Sequence, residues 1–294
     1  MSNSFLIRYD KDIGALSSHL LIGTGEFIKK GMDMRIGFIS NAEEEEFVWA
    51  HENGISCVEF NTAGTPESVE NLLAKKDAII QWKKKYGVDI SHVGVYGWDR
   101  ISENAEVRQQ ADRYLRKVID FVADIKAPLI TTGGGELSGR GLWECCNALA
   151  EVIAPAVHYA EENGLKFAFY NCHWTNFVIG PEAWSILLSM FPSVGIKFDP
   201  SHPRYDGKNW ESQLAEWGHR VYHTHAKDTL FINGKPFEDV PAGLGDTHWG
   251  HFMALLHHHN YTGDINIEPH SRTWHGARMF EGILIAKRHL EQFL

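Results

Sequence analysis

Three short apolar runs in the last third of the chain each end in groups able to bind a cation or move a proton. GIKFDPSHP ends in Asp199, with His202 three residues on; VYHTHAKD carries His223 and His225; DINIEPH carries Glu268. Singly, a strand-end Asp is commonly a turn former and a lone His a hydrogen-bonded spacer. Three such groups at matching positions of successive runs read instead as one rim of Asp, His and Glu. Two carboxylates and an imidazole suit a hard-to-borderline divalent ion, Mn²⁺ first, then Mg²⁺ or Co²⁺, with Zn²⁺ less favoured without a thiolate.

Those groups need a scaffold that brings strand ends together. Eight β-branched or aromatic runs recur at Arg35–Ser40, Ser56–Asn61, His92–Trp98, Pro128–Thr132, Lys166–Tyr170, Gly195–Asp199, Val221–His225 and Asp264–Glu268. Segments with helical spacing separate them: Pro66–Tyr86, Glu103–Ile125, Leu142–Asn163, Pro181–Met190, Asn209–Gly218, Trp249–Asn260 and Gly276–Phe293. Strict alternation implies parallel strands with crossover helices, and eight units predict an α/β fold, the closed (β/α)8 TIM barrel. No GxGxxG follows the first strand, which counts against an open dinucleotide-binding sheet. Gly133–Gly135 reads as a tight strand-to-loop turn ahead of a phosphate cradle. No Pro-, Gly- or Ser-rich linker divides the chain, so residues 1–294 are expected to form one domain, with 1–33 an N-terminal extension packed on the barrel.

Bulk properties narrow the partners. The chain has 294 residues, a formal charge of −10, 44% hydrophobic and 22% charged residues. Acidic charge argues against nucleic acid, which is held by clustered Lys and Arg. No apolar run reaches the ~20 residues of a membrane span and no signal-peptide core is present, so a cytoplasmic location without membrane attachment is expected. The four cysteines lack CxxC spacing and read as reduced thiols. His257–His258–His259 cannot converge on one ion, because neighbouring helix positions diverge. The acidic run Glu43–Glu46 reads as a helix N-terminus.

DPSH (Asp199–His202), HTHAKD (His223–Asp228) and the IEP at Ile267–Pro269 resemble the xylose isomerase-like TIM-barrel superfamily, nearest its sugar-phosphate isomerase/epimerase branch. Ketose 3-epimerases and inosose dehydratases are relatives of that branch. PAGLGDTHWGHF and the following HNYTGDINIE are similar to its glycine loop, final helix and last strand; GISCVEF, with Glu59, matches more loosely. The resemblance implies a metal held by Asp199, His225 and Glu268, with His202 contacting substrate hydroxyls. It favours His225 over His223 as ligand, His223 sharing its face as a supporting partner. On strand five the family commonly carries a carboxylate; here FYNCHW, aligned on His173, puts Asn171 in its place as a neutral fourth ligand. Cys172 is expected to point away from the site.

The resulting expectation is a divalent-metal-dependent isomerase or epimerase of a sugar or keto-sugar, working through a metal-stabilised enediolate. Glu268 would take the proton and His202 or His173 return it; Lys227 would steady oxyanion charge or else pair with Asp228. Trp174, Trp249, Arg272, Glu59 and His202 are the expected substrate contacts. Trp210 and Trp274 would line the pocket or meet another subunit of a homo-oligomer. Asn171 brings a second class close: a lyase or dehydratase on an oxidised sugar or cyclitol, with a single carboxylate base. Abasic-site endonuclease chemistry is opposed by the acidic charge. A non-catalytic sugar-binding barrel would retain ligand binding without the Asp/His/Glu set.

Overall fold

Eight parallel strands close on themselves in the computed structural model, which describes residues 34–294. They are β1 (Ile36–Ile39), β2 (Cys57–Thr62), β3 (Asp89–Val95), β4 (Leu129–Thr132), β5 (Lys166–Tyr170), β6 (Gly195–Phe198), β7 (Val221–Ala226) and β10 (Ile265–Ile267). Neighbours in sequence are neighbours in the barrel, and β10 pairs with both β7 and β1 to shut it. The TIM barrel expected from the alternation is the fold. The expected packing of residues 1–33 lies outside the described residues.

Helices cover the outer face: α1 (Glu44–Glu52), α2 (Pro66–Leu73), α3 (Lys76–Tyr86), α4 (Ala105–Asp124), α5 (Leu142–Glu162), α6 (Pro181–Met190), α7 (Ser201–Tyr205), α8 (Trp210–Trp217), α9 (Trp249–His258) and α10 (Met279–Leu290). The segment expected as one helix over Pro66–Tyr86 is two, α2 and α3. At α1 the acidic run is a cap: Glu46 reaches back to accept from Ser40 Oγ (2.6 Å) and Asn41 N (2.8 Å).

One further pair escaped the sequence reading. β8 (Asp228–Ile232) and β9 (Lys235–Val240) form an antiparallel hairpin outside the barrel, turning at Asn233–Gly234. Both turn residues have positive φ, 52° and 73°, the conformation for which Asn-Gly is favoured.

Alternation divides each strand between two environments. On β6, Ile196 and Phe198 join the apolar layer under the helices, where Phe198 meets Trp184, whereas Lys197 faces into the barrel. Barrel interiors are ordinarily filled by branched aliphatics. Here the interior holds Glu59, His92, Thr131, Lys197, His223, His225 and Asn266, all buried. Buried polar groups are costly unless paired, so their partners decide what the interior does.

Candidate active site

Glu59, on β2, is the hub of the deeper groups. Its Oε1 accepts from His225 Nε2 (2.7 Å) and Asn61 Nδ2 (3.0 Å), and its Oε2 from His223 Nε2 (2.8 Å) and Asn266 Nδ2 (2.7 Å). His92 Nδ1 lies 3.3 Å from Oε2, and its Nε2 meets Thr131 Oγ1 at 2.8 Å. Burial alone would raise the Glu59 pKa; His225 and His92 more than reverse this and hold it well below the usual carboxylate range. Because a carboxylate only accepts, His225 must carry its proton on Nε2, which leaves the Nδ1 lone pair facing the other way. A carboxylate behind a histidine is the usual device for orienting a ligand imidazole.

On that other side Asp199, His225 and Glu268 each offer one ligand atom within 4.8 Å of the others, and His225 Nδ1 lies 3.3 Å from Glu268 Oε2. Ser201 takes Asp199 Oδ1 through its amide (2.8 Å) and hydroxyl (2.7 Å). Oδ2 is buried without a hydrogen-bond partner among the described residues. Lys227 Nζ sits 3.0 Å from Glu268 Oε2 and 3.5 Å from Asp199 Oδ2. Burial opposes charge on all three, but their mutual attraction prevails: Asp199 and Glu268 are lowered and Lys227 is raised. Lys227 thus pairs with these carboxylates and not with Asp228. Asp228 instead accepts from Thr229, Gly243, Gly245 and Thr247 amides and from Trp249 Nε1, shaping the glycine loop.

The groups open onto a cavity of about 630 Å³ at the carboxyl ends of the strands, lined among others by Asn61, Tyr96, Cys172, His173, Trp174, Lys197, His202, Lys227 and Glu268. His202 Nε2 lies 3.5 Å from Asp199 Oδ2, and burial pushes its pKa down to about 3, so the ring is neutral at pH 7. His173 Nε2 pairs with Asp206 Oδ2 at 2.8 Å on the cavity wall. Trp174, 64% exposed, forms part of the rim.

Several expected residues are elsewhere. Asn171, expected as a fourth ligand, is a backbone clamp: its Oδ1 accepts from Asp199 N (2.9 Å) and its Nδ2 donates to Asp199 O (3.0 Å), which turns the amide onto the backbone of β6's end. The barrel-facing residue of strand five is Tyr170, in register with Lys197 and stacked 4.3 Å from Tyr96. Gly133 leaves room for it, since a Cβ there would lie 2.4 Å from the Tyr170 hydroxyl. Cys172, expected to turn away, lines the cavity. Glu59 is fully buried behind His225 and does not reach the cavity; Trp249 is buried on Asp228 and Phe252. Arg272 donates to Phe237 O outside the main cavity, Trp210 is buried against Phe252, and Trp274 packs on Gly282. His257 and His259 bond to the carbonyls of Phe293 and Ala215.

Lys197, Tyr96, His92, Asn61 and Asp206 were missed. A lysine inside GIKFD was the clearest signal, because alternation puts it on the same face as Asp199.

The family described as the xylose isomerase-like TIM barrel matches residues 47–291, most of the chain and all of its strands but the first. The chain is a xylose isomerase-like TIM barrel. Solved members with this fold include a D-tagatose 3-epimerase-like protein (18% identity, 88% of this chain and 97% of that one, TM-score 0.70). D-psicose 3-epimerase from Clostridium cellulolyticum H10 is 12% identical over 89% of this barrel and 99% of its own chain, TM-score 0.72. The IOLI protein with a bound zinc atom is 14% identical over 89% and 99%, TM-score 0.73. No curated protein sequence matches this xylose isomerase-like chain. None of the helices among its described residues is long and apolar enough to cross a membrane.

Proposed function

We propose that this barrel is a divalent-metal-dependent isomerase or epimerase of a sugar or keto-sugar. The observation that carries the proposal is the convergence of one ligand atom each from Asp199, His225 and Glu268, with Glu268 lining the cavity. Likeness to proteins named as ketose 3-epimerases, and to one holding zinc, supports it. The donor set fits the group: two carboxylates and an imidazole converge, and one oxygen of Asp199 is buried with no hydrogen-bond partner among the described residues. A divalent ion held there would act as a Lewis acid on a carbonyl and its neighbouring hydroxyl, acidifying the adjacent C–H.

The remaining work falls to side chains. Glu268, ionised and lining the cavity, accepts the proton from carbon. Lys227, a cation beside it, donates to the oxygen that gains charge. His202, neutral, hydrogen-bonds a substrate hydroxyl. His173, oriented by Asp206, returns the proton. Trp174 supplies an apolar face for the sugar ring. The metal content of the purified protein, read beside deuterium uptake from D₂O into D-fructose or D-tagatose, tests this reading. Stoichiometric metal with exchange at one carbon supports it; absence of both, with no rescue by added Mn²⁺, sinks it.

One observation favours elimination as a second reading. The residues that follow strand five into the cavity lining are Cys172, His173 and Trp174, none of them a carboxylate able to act as a second base. With one base at Glu268, and His173 beside Asp206 placed to hand a proton to a departing hydroxyl, an oxidised sugar or cyclitol would lose water. Mass loss of one water from substrate, without a shifted stereocentre, separates the two.

A further inference from the structure

The main cavity has a neighbour that the chemistry above leaves unused. A second cavity of about 310 Å³ adjoins the first of about 630 Å³, and Tyr205, Asp239 and His270 line both. Its outer wall comes from the β8–β9 hairpin, through Phe237 and Glu238, and from Arg272 in the loop after β10. The barrel closes without this hairpin, so its presence calls for another role. The junction lies next to the working carboxylate, since His270 Nε2 is 3.2 Å from Glu268 Oε1.

The walls of this annex suit the different parts of a sugar ring. Phe237 is 56% exposed and presents an apolar ring that water solvates poorly. Arg272 uses one N–H on Phe237 O, and its guanidinium carbon lies 6.0 Å from the Phe237 ring centre. Its other N–H groups make no hydrogen bond among the described residues. Asp239 is fixed through Oδ1, which accepts from the Tyr205 and Thr229 hydroxyls, and its Oδ2 accepts no hydrogen bond among the described residues. An apolar face with free donors and a free acceptor beside it matches a pyranose, whose C–H faces are apolar and whose hydroxyls both donate and accept. An anionic group fits less well, because Glu238 and Asp239 set two acidic side chains against one guanidinium. Resting on the sugar-isomerase reading, we infer that the substrate is a neutral disaccharide with a ketose end. The ketose reacts beside Glu268, the glycosidic link passes Asp239 and His270, and the second ring stacks on Phe237 with its hydroxyls on Arg272 and Asp239.

The test is titration calorimetry of the purified protein, with Mn²⁺ present, against D-fructose and the disaccharides turanose, maltulose, lactulose and isomaltulose, which join it to a second ring in different ways. Burying the Phe237 ring against a second sugar is expected to tighten at least one of them about 10- to 100-fold over D-fructose. Phe237→Ala, at an exposed position, should bring that disaccharide to within a few-fold of D-fructose and leave D-fructose itself unchanged. Arg272→Ala should cost the disaccharide about 3- to 10-fold. No disaccharide binding more tightly than D-fructose, or a preference that survives Phe237→Ala, overturns the inference. Tighter binding of D-fructose 6-phosphate than of every disaccharide overturns it too. Deuterium exchange into the bound sugars is read separately. Exchange into D-fructose without disaccharide preference sinks the annex alone, and preference without exchange into any of the sugars sinks the isomerase reading alone.

Discussion

Two groups of buried polar residues meet at His225 and differ in how they are satisfied. Around Glu59 both carboxylate oxygens are filled, by donors from Asn61, His223, His225 and Asn266, and of these four only Asn61 borders the cavity. Around Asp199 and Glu268 the atoms are not all filled: among the described residues Asp199 Oδ2 and His202 Nδ1 are buried without hydrogen-bond partners, and Lys197 on β6 and Lys227 just past β7 press in. A carboxylate with both oxygens bonded is held in place, whereas one with an unfilled oxygen beside a cavity is poised for a ligand. The inner group is therefore a platform and the outer group the working surface, with one imidazole ring shared between them.

The largest effects should come from the outer group and leave the fold intact. Asp199→Ala or Glu268→Gln is expected to abolish metal retention and lower sugar turnover by about 10² to 10⁴, with little change in the denaturation midpoint. Metal analysis and deuterium exchange check this, and a large loss of stability would erase the distinction drawn here. Glu59→Ala attacks the platform. It strands several buried donors and should cost about 3–5 kcal/mol in urea unfolding, with metal affinity falling only as a consequence of a loosened His225.

Asn171→Ala sharpens the comparison at its boundary. Loss of both its bonds to the Asp199 backbone should cost about 1–3 kcal/mol of stability. Metal should be retained, whereas a true ligand would lose it. The most gradual effect is in pH. Burial holds His202 and His223 at about 3, against 6.5 for the free ring. The unfolded chain binds a proton at each below about pH 6.5 and the folded protein does not until about pH 3. Stability should therefore fall as pH drops through that window, by about 1 kcal/mol per unit for each histidine. Equilibrium unfolding at pH 7, 6 and 5 measures it, and His202→Gln should lessen the slope.

The strand runs were legible because period-two patterning and β-branched composition mark a buried strand whichever partner it finds. Asp199, His225 and Glu268 could be picked out because each follows such a run, and barrel geometry then fixes their height. The hairpin after β7 carried its own Asn-Gly signal and was overlooked. Asn171 and Cys172 were misassigned for a different reason. Beyond the last strand residue, alternation gives no register, so aligning FYNCHW on its histidine put the wrong residue toward the metal position.

What the sequence by itself determined is the eight-unit barrel and the presence of an Asp/His/Glu rim, since both depend on local periodicity and on which residues end each run. Only the tertiary structure decided how the polar atoms are spent: that Glu59 stands behind His225, that Lys227 answers Asp199 and Glu268 and not Asp228, and that Lys197 reaches across to His225 Nδ1. Those outcomes depend on distances of a few ångströms between strands far apart in the chain, such as the 2.7 Å from Glu59 to His225 across 166 positions. Hydrogen bonds and ion pairs fall off over such distances, and spacing along the sequence does not encode them.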